Sequence, residues 1–150
     1  MENEKSIDVL NSLVTINNDR IQGYKTAIDE TEDHDLKAIF AEFIDHSQEC
    51  KSQLGSAVAK LGGTPDDGTR LDGKIYRAWM DFKALLTGKD RKAILNSCEY
   101  GEDVAVNSYQ KAMENSDLAT EYNSMVSEQY TTIKADHDKV KSLRDAAVDA

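Results

Sequence analysis

Apolar residues recur every seven positions along four long stretches of the chain, with polar residues between them. This spacing predicts amphipathic helices that pack nearly parallel to their neighbours. The first helix is predicted from about Ser6 to about Glu30, and the second from about Asp35 to about Leu61. The core-facing rows of the first helix are Ile7, Val14, Ile21 and Ile28 beside Leu10, Asn17 and Tyr24. Those of the second helix are Leu36, Phe43, Cys50 and Ala57 beside Phe40, Ser47, Leu54 and Leu61.

The second half of the chain repeats this pattern. Asp90 is the predicted N-cap of a third helix, and the fourth helix is predicted from about Asp117 to about Val148 after a short polar turn. The core-facing positions of the third helix are Ile94, Leu95, Cys98, Gly101, Glu102, Ala105, Ser108, Tyr109 and Ala112. Those of the fourth helix are Ala119, Val126, Ile133, Val140 and Ala147 beside Tyr122, Gln129, Asp136 and Leu143.

The segment from Gly62 to Lys89 is too long for a simple hairpin connection. Gly62 and Pro65 end the second helix, and the apolar spacing within Lys74 to Thr87 predicts a short helix of its own. Such a segment can carry the chain from one end of the helices to the other. We therefore expect one all-α domain over residues 1–150, a ferritin-like four-helix bundle of two antiparallel hairpins joined by a long crossover.

Glu102 is unusual because it places a carboxylate at a core-facing position. Turning points near residues 32 and 116 would bring polar positions of the other three helices close to its level. An ionised carboxylate buried without a partner costs several kcal/mol, so Glu102 requires hydrogen-bond donors or a cation. The first hypothesis is a buried polar layer, with Arg20 adding charge if its side chain reaches inward. The layer consists of Asn17, Tyr24, Ser47, Glu102 and Gln129.

The second hypothesis is a reduced metal site that uses Glu102 with Glu99, Glu49 or His46. Carboxylate and imidazole groups are suitable ligands for iron or manganese. His137, which has an acidic residue on each side, is interpreted instead as a surface or capping residue.

The charge of the chain excludes some partners. With 28 acidic and 18 basic residues, the formal net charge is −10, which repels nucleic acid and anionic lipid. The charged N-terminus is followed by no apolar run long enough for a signal peptide or a membrane span, so a cytoplasmic protein is expected. Cys50 and Cys98 both occupy apolar positions and are interpreted as reduced core residues. No Ser-His-Asp arrangement, phosphate-binding glycine loop or Cys-x-x-Cys spacing is present.

Several short motifs, in their order along the chain, resemble a bacterial family of ferritin-like bundles of unknown function. The motifs are Asn11-x-Leu13, Asp19-x-x-x-Gly23-Tyr24, Leu61-Gly62-Gly63-x-Pro65, Arg77-x-Trp79, Cys98-Glu99-x-Gly101-Glu102-Asp103, His137-Asp138 and Leu143-Arg144-Asp145. The resemblance covers nearly the whole chain. It implies the fold but assigns no reaction.

Ferritin-like di-iron sites use one glutamate from each of two helices and a Glu-x-x-His pair from each of the other two. This chain lacks that set: the second helix has the reversed order His46-x-x-Glu49, and only the third keeps an acid pair, Glu99 and Glu102. The sequence therefore predicts a non-catalytic bundle without a cofactor, linked to stress physiology by analogy with ferritin-like proteins. One alternative is an iron- or manganese-dependent oxidase or iron-handling protein. Another is a helical interaction module that forms a homo-oligomer or binds a protein partner around Trp79.

Overall fold

The computed structural model describes residues 2–66 and 91–147, and within these ranges the chain is helical apart from short connections, without a strand. The prediction of an all-α protein is confirmed. The long helices are α1 (Glu2–Glu30), α2 (His34–Lys60), α3 (Arg91–Glu114) and α4 (Asn123–Ala146), and a 3₁₀ helix at Thr120–Tyr122 precedes α4. The predicted helix at Lys74–Thr87, with Trp79, lies outside the described residues. None of the described helices is long and apolar enough to cross a membrane.

Aromatic and glycine contacts give the directions of the first two helices. The ring of Tyr24 near the end of α1 lies 5.3 Å from that of Phe43 in the first half of α2. Near the opposite ends of these helices, Gly63 lies against Ile7. The two helices are therefore antiparallel.

Hydrogen bonds give the direction of α3 and place α4 beside it. Asn17 of α1 bonds to Tyr109 of α3, and Ser6 bonds to the carbonyl of Asp117 beyond the end of α3, so α1 and α3 are antiparallel. Tyr109 also bonds to Gln129 of α4. Because α2 and α3 are both antiparallel to α1, they run in the same direction.

Helix α1 is the most enclosed of the four, since every residue from Leu13 to Ile21 is buried. Part of its outer side is covered by the chain that follows α2. The Asn11 amide donates to the carbonyl of Thr64 and accepts from the N–H of Asp66, each at 3.0 Å. Thr15 Oγ1 donates to the Asp66 carboxylate, also at 3.0 Å. These bonds attach the segment that follows α2 to the side of α1.

The start of α4 differs from the prediction. The fourth helix was expected from Asp117, but residues 115–119 are not helical, and α4 begins at Asn123. The Asn115 side chain accepts from the N–H of Asp117 at 2.8 Å, and Ser6 Oγ accepts from the N–H of Ala119 at 2.9 Å. These side chains bind N–H groups at the point where the fourth helix was expected to begin. As a result, the turn between the paired helices α3 and α4 is centred on residue 119 rather than on residue 116.

Gly62 ends α2 with a left-handed backbone, φ +89°, which confirms the expected glycine cap. Its N–H bonds to the carbonyl of Ala59, and the N–H of Gly63 bonds to that of Val58. This closing pattern satisfies carbonyls that a helix end would otherwise leave unpaired.

Replacing Gly62 with alanine is expected to lower the free energy of unfolding by about 1–2 kcal/mol, because a β-carbon is disfavoured at positive φ. The matched control is Gly55→Ala within α2, where the new β-carbon would lie 3.6 Å from Pro65, an ordinary contact. The control is expected to stabilise the protein by about 1 kcal/mol, through helix propensity. Urea denaturation measures both, and equal effects of the two variants would contradict the assignment.

Candidate functional site

The guanidinium of Arg20 is fully buried and binds Glu102 through two hydrogen bonds. Arg20 Nε donates to Oε1 at 2.6 Å and Nη2 donates to Oε2 at 2.9 Å, and both side chains are 0% exposed. A planar guanidinium matches the two oxygens of a carboxylate in this way. The partner that Glu102 requires is thus an arginine from α1.

Two further residues complete the coordination of Arg20. Nη2 also donates to Oδ2 of Asp136 at 3.1 Å, and Nη1 donates to the hydroxyl of Ser47. Each of the four helices therefore contributes one member of this group. We call Arg20, Ser47, Glu102 and Asp136 the arginine layer.

His46 connects the arginine layer to the surface. Its Nδ1 lies 3.0 Å from each carboxylate oxygen of Asp136, so the Nδ1–H donates to that carboxylate. The other ring nitrogen lies 3.7 Å from Glu42, and the side chain is 30% exposed. Asp136 thus links the buried guanidinium to an imidazole that water can reach.

Burial and pairing act in opposite directions on the charges of the arginine layer. Burial raises the pKa of Glu102, while the charge and hydrogen bonds of Arg20 and a hydrogen bond from Tyr24 oppose that rise. Burial alone would lower the pKa of Arg20, but its interactions with Glu102, Tyr24 and Asp136 together outweigh burial and raise it, so the guanidinium stays charged.

Tyr24 forms one wall of the arginine layer. The guanidinium carbon of Arg20 lies 5.5 Å from the centre of the Tyr24 ring, within the range of a cation–π interaction. Burial raises the pKa of Tyr24 well above its usual value, followed in effect by the charge of Glu102. The phenol therefore remains neutral and can donate a hydrogen bond.

A second buried polar chain lies beside the arginine layer. Asn17 Nδ2 donates to Tyr109 Oη at 2.9 Å, and that hydroxyl donates to Gln129 Oε1 at 2.8 Å. Gln129 Nε2 in turn donates to Gln53 Oε1 at 2.9 Å and to the carbonyl of Cys50 at 3.3 Å. This chain also joins all four helices, but without a formal charge.

All five residues proposed for one polar layer are buried, namely Asn17, Tyr24, Ser47, Glu102 and Gln129. They belong to two groups rather than one. Because α4 begins later than predicted, Asp136 rather than Gln129 lies level with Glu102, and Gln129 lies level with Tyr109.

The sequence predicts Arg20 in the polar layer only if its side chain reaches inward, and it does not predict Asp136 in that layer. Asp136 occupies a core-facing row of its helix, so the argument applied to Glu102 could have identified it. Two inward carboxylates at mid-height require a cation, and that requirement points to Arg20. Its position beside the core rows gave no direct signal, because long basic side chains next to a core usually extend to water.

The four proposed metal ligands are dispersed. Both oxygens of Glu102 are bound by Arg20, and Nδ1 of His46 binds Asp136. Glu49 is exposed, and Glu99 Oε2 lies against Nη1 of Arg144. A guanidinium already provides the positive charge between the core carboxylates, so these core residues do not fit an iron or manganese ion.

A polar cavity of about 240 Å³ lies between α2 and α4. Its lining residues are His46, Glu49, Cys50, Gln53, Glu128, Gln129 and Thr132. His46 lines this cavity and also contacts Asp136, so the cavity borders the arginine layer.

These features define an all-helical protein whose core is joined by a buried ion-pair layer. Residues 5–115 match a family described as "Domain of unknown function (DUF2383)", and the chain belongs to that family. No functionally curated protein matches the chain.

Substitutions that change the charge of the arginine layer are expected to destabilise the protein by different amounts. Arg20→Met leaves two buried carboxylates without their cation and should destabilise the protein by about 3–5 kcal/mol. Glu102→Gln leaves the Arg20–Asp136 pair, which is neutral overall, and should cost less, about 1–3 kcal/mol. The double variant should be more stable than the sum of the two effects implies.

Urea denaturation measures these costs, and Arg91→Met is the matched control. Arg91 binds Asp33 and Asp35 at the surface, at 3.1 and 2.9 Å. An exposed pair of this kind contributes about 1 kcal/mol or less. Equal losses for Arg20→Met and Arg91→Met would show that the arginine layer does not have the expected energetic role.

Cys50 and Cys98 are both free and buried, as predicted. Burial raises the pKa of the Cys50 thiol to about 11. The thiol of an unfolded chain titrates near pH 8.5, so above that pH the unfolded state loses this proton first. Stability from Cys50 is therefore present below about pH 8.5 and is lost as the pH rises toward about 11.

The free energy of unfolding should consequently fall less steeply with pH in Cys50→Ala than in the wild type. Urea titrations between about pH 7.5 and pH 10.5 provide the measurement, over the range that the thiol shift defines. Parallel pH dependences of the two proteins would show that Cys50 does not contribute.

Proposed function

We propose that this protein is a non-catalytic four-helix bundle of the ferritin-like type, in which an arginine replaces the central metal ion. The observation that carries the proposal is the two-bond contact between the buried Arg20 guanidinium and Glu102, with Asp136 on the same nitrogen. In a metal-binding bundle, cations neutralise carboxylates that converge from several helices. Here the chain supplies that positive charge itself.

The directions of the helices support the ferritin-like part of the proposal. Helices α2 and α3 are parallel, which requires a long connection between them. Asp66 lies beside Thr15 in the middle of α1, whereas Arg91 lies beside Asp33 at the start of α2. These two endpoints favour a crossover along the bundle.

We infer a structural role for the arginine layer, because its hydrogen bonds form in only one alignment of the helices. Apolar heptad rows pack almost equally well after a shift of seven residues, whereas a buried guanidinium has partners in one alignment only. Polar groups in helical cores are known to specify register in this way. We infer that the layer fixes the alignment of the helices, and that the protein acts through its surface by binding rather than by redox chemistry.

The resemblance to ferritin-like proteins supports an association with stress physiology. The interaction-module alternative depends on Trp79, which is outside the described residues. The alternative of an iron- or manganese-dependent oxidase would require Arg20 to leave the two carboxylates that it binds.

Elemental analysis after anaerobic loading with ferrous iron or manganese tests the proposal. The wild type is expected to retain no metal that depends on Glu102, so wild type and Glu102→Gln should contain the same amount. His137→Gln, measured in parallel, accounts for any metal held at the surface. One or two equivalents of iron that disappear in Glu102→Gln but persist in His137→Gln would overturn the proposal.

A further inference from the structure

A set of metal-ligating side chains lies between α3 and α4, apart from the arginine layer. Glu99 and Asp103 are one turn apart on α3, and His137 faces them from α4. One ligand atom from each of the three lies within 4.8 Å of the other two. Among the described residues this is the one such group of three. We call it the α3–α4 cluster.

Both ring nitrogens of His137 face carboxylate oxygens: Nδ1 lies 3.0 Å from Asp138 Oδ1, and Nε2 lies 2.5 Å from Asp103 Oδ1. A neutral imidazole can donate to only one of the two, and in the tautomer suited to a metal at Nε2 the proton is on Nδ1 and is donated to Asp138. In that tautomer a nitrogen lone pair faces a carboxylate oxygen, and two acceptors cannot bond to each other. A second proton on Nε2 would satisfy this contact, and a metal ion bound by both atoms would satisfy it once the two atoms move farther apart. A carboxylate bound to the far nitrogen is also what orients histidine ligands in metal sites.

Glu99 provides a second carboxylate that is held in place. Its side chain is 13% exposed, and Oε2 is buried. The ionic partner of that oxygen is Nη1 of Arg144, which leaves Oε1 outside this ion pair. Within the cluster, one of the two Glu99 carboxylate oxygens is therefore already paired with a cation.

The charges around the α3–α4 cluster are unequal. Among residues 2–66 and 91–147, four carboxylates face two fixed cations, because Lys134 pairs with Asp138 and Arg144 pairs with both Glu99 and Asp145. Asp103 is the fourth carboxylate, paired only with His137 in the bonds described above. With a neutral imidazole the group carries two excess negative charges, which one divalent cation would balance.

We propose that Glu99, Asp103 and His137 bind one divalent cation of the Zn²⁺ type, and that this ion links α3 to α4. Zn²⁺ and Co²⁺ accept a mixture of imidazole and carboxylate ligands, whereas Mg²⁺ and Ca²⁺ prefer oxygen alone. Three protein ligands leave a fourth position for water. This site goes beyond the proposed function, because it is independent of the core layer and its metal would join helices rather than perform redox chemistry.

Isothermal titration of the full-length, chelator-treated protein with Zn²⁺ tests the proposal, and Co²⁺ absorption reports the ligand type. We expect one equivalent to bind, without a thiolate-to-cobalt band because both cysteines are buried. His137→Gln should weaken binding by more than about tenfold, and Asp138→Asn, which removes the orienting carboxylate, by about 10–100-fold. Asp103→Asn serves as a second ligand variant if His137→Gln does not fold.

The other two histidines provide matched controls. His34→Gln, at an exposed position, and His46→Gln, beside the arginine layer, should bind Zn²⁺ as the wild type does. The unfolding midpoint should rise with added Zn²⁺ in the wild type and both controls, and should not rise in His137→Gln. Absence of binding to the wild type would overturn the proposal and leave His137 as an imidazolium paired with two carboxylates. Binding lost in His46→Gln instead would also overturn it, since the ion would then lie in the cavity between α2 and α4.

Discussion

The structure depends on a buried guanidinium that one residue of each neighbouring helix must satisfy. Arg20 is completely enclosed, and its donors reach Ser47 on α2, Glu102 on α3 and Asp136 on α4. Removing a charge from water costs several kcal/mol, and only well-placed partners offset that cost. An apolar core of the same volume could be as stable. In the proposed role, the ion pairs add a single alignment of the helices, because any shift would leave a buried charge without its partner.

The two buried polar groups divide this task. The arginine layer contains formal charges and contacts His46, which is partly exposed and lines the cavity between α2 and α4. The chain from Asn17 through Tyr109 to Gln129 contains no formal charge and consists of neutral hydrogen bonds. Both cross the entire core, so every helix is aligned at two levels.

The negative charges of carboxylates are neutralised differently in the core and between α3 and α4. In the core, the chain provides an arginine that binds both oxygens of Glu102. In the α3–α4 cluster, Arg144 binds one oxygen of Glu99, and in the described part of the chain Asp103 pairs with His137 and with no lysine or arginine.

The sequence alone determined α1 to α4 apart from the start of α4, the all-α class, the glycine cap at Gly62 and the burial of Glu102 and both cysteines, because these follow from local periodicity and backbone preference. It did not determine which polar residues meet. A heptad pattern is unchanged by a shift of seven residues, so the rows of α4 could not show whether Gln129 or Asp136 lies level with Glu102. Tertiary contacts decided this: Ser6 binds the N–H of Ala119, α4 begins at Asn123, and Asp136 reaches the core layer. Only the packed structure likewise directs the side chain of Arg20 inward, since its position beside the core rows allows either direction.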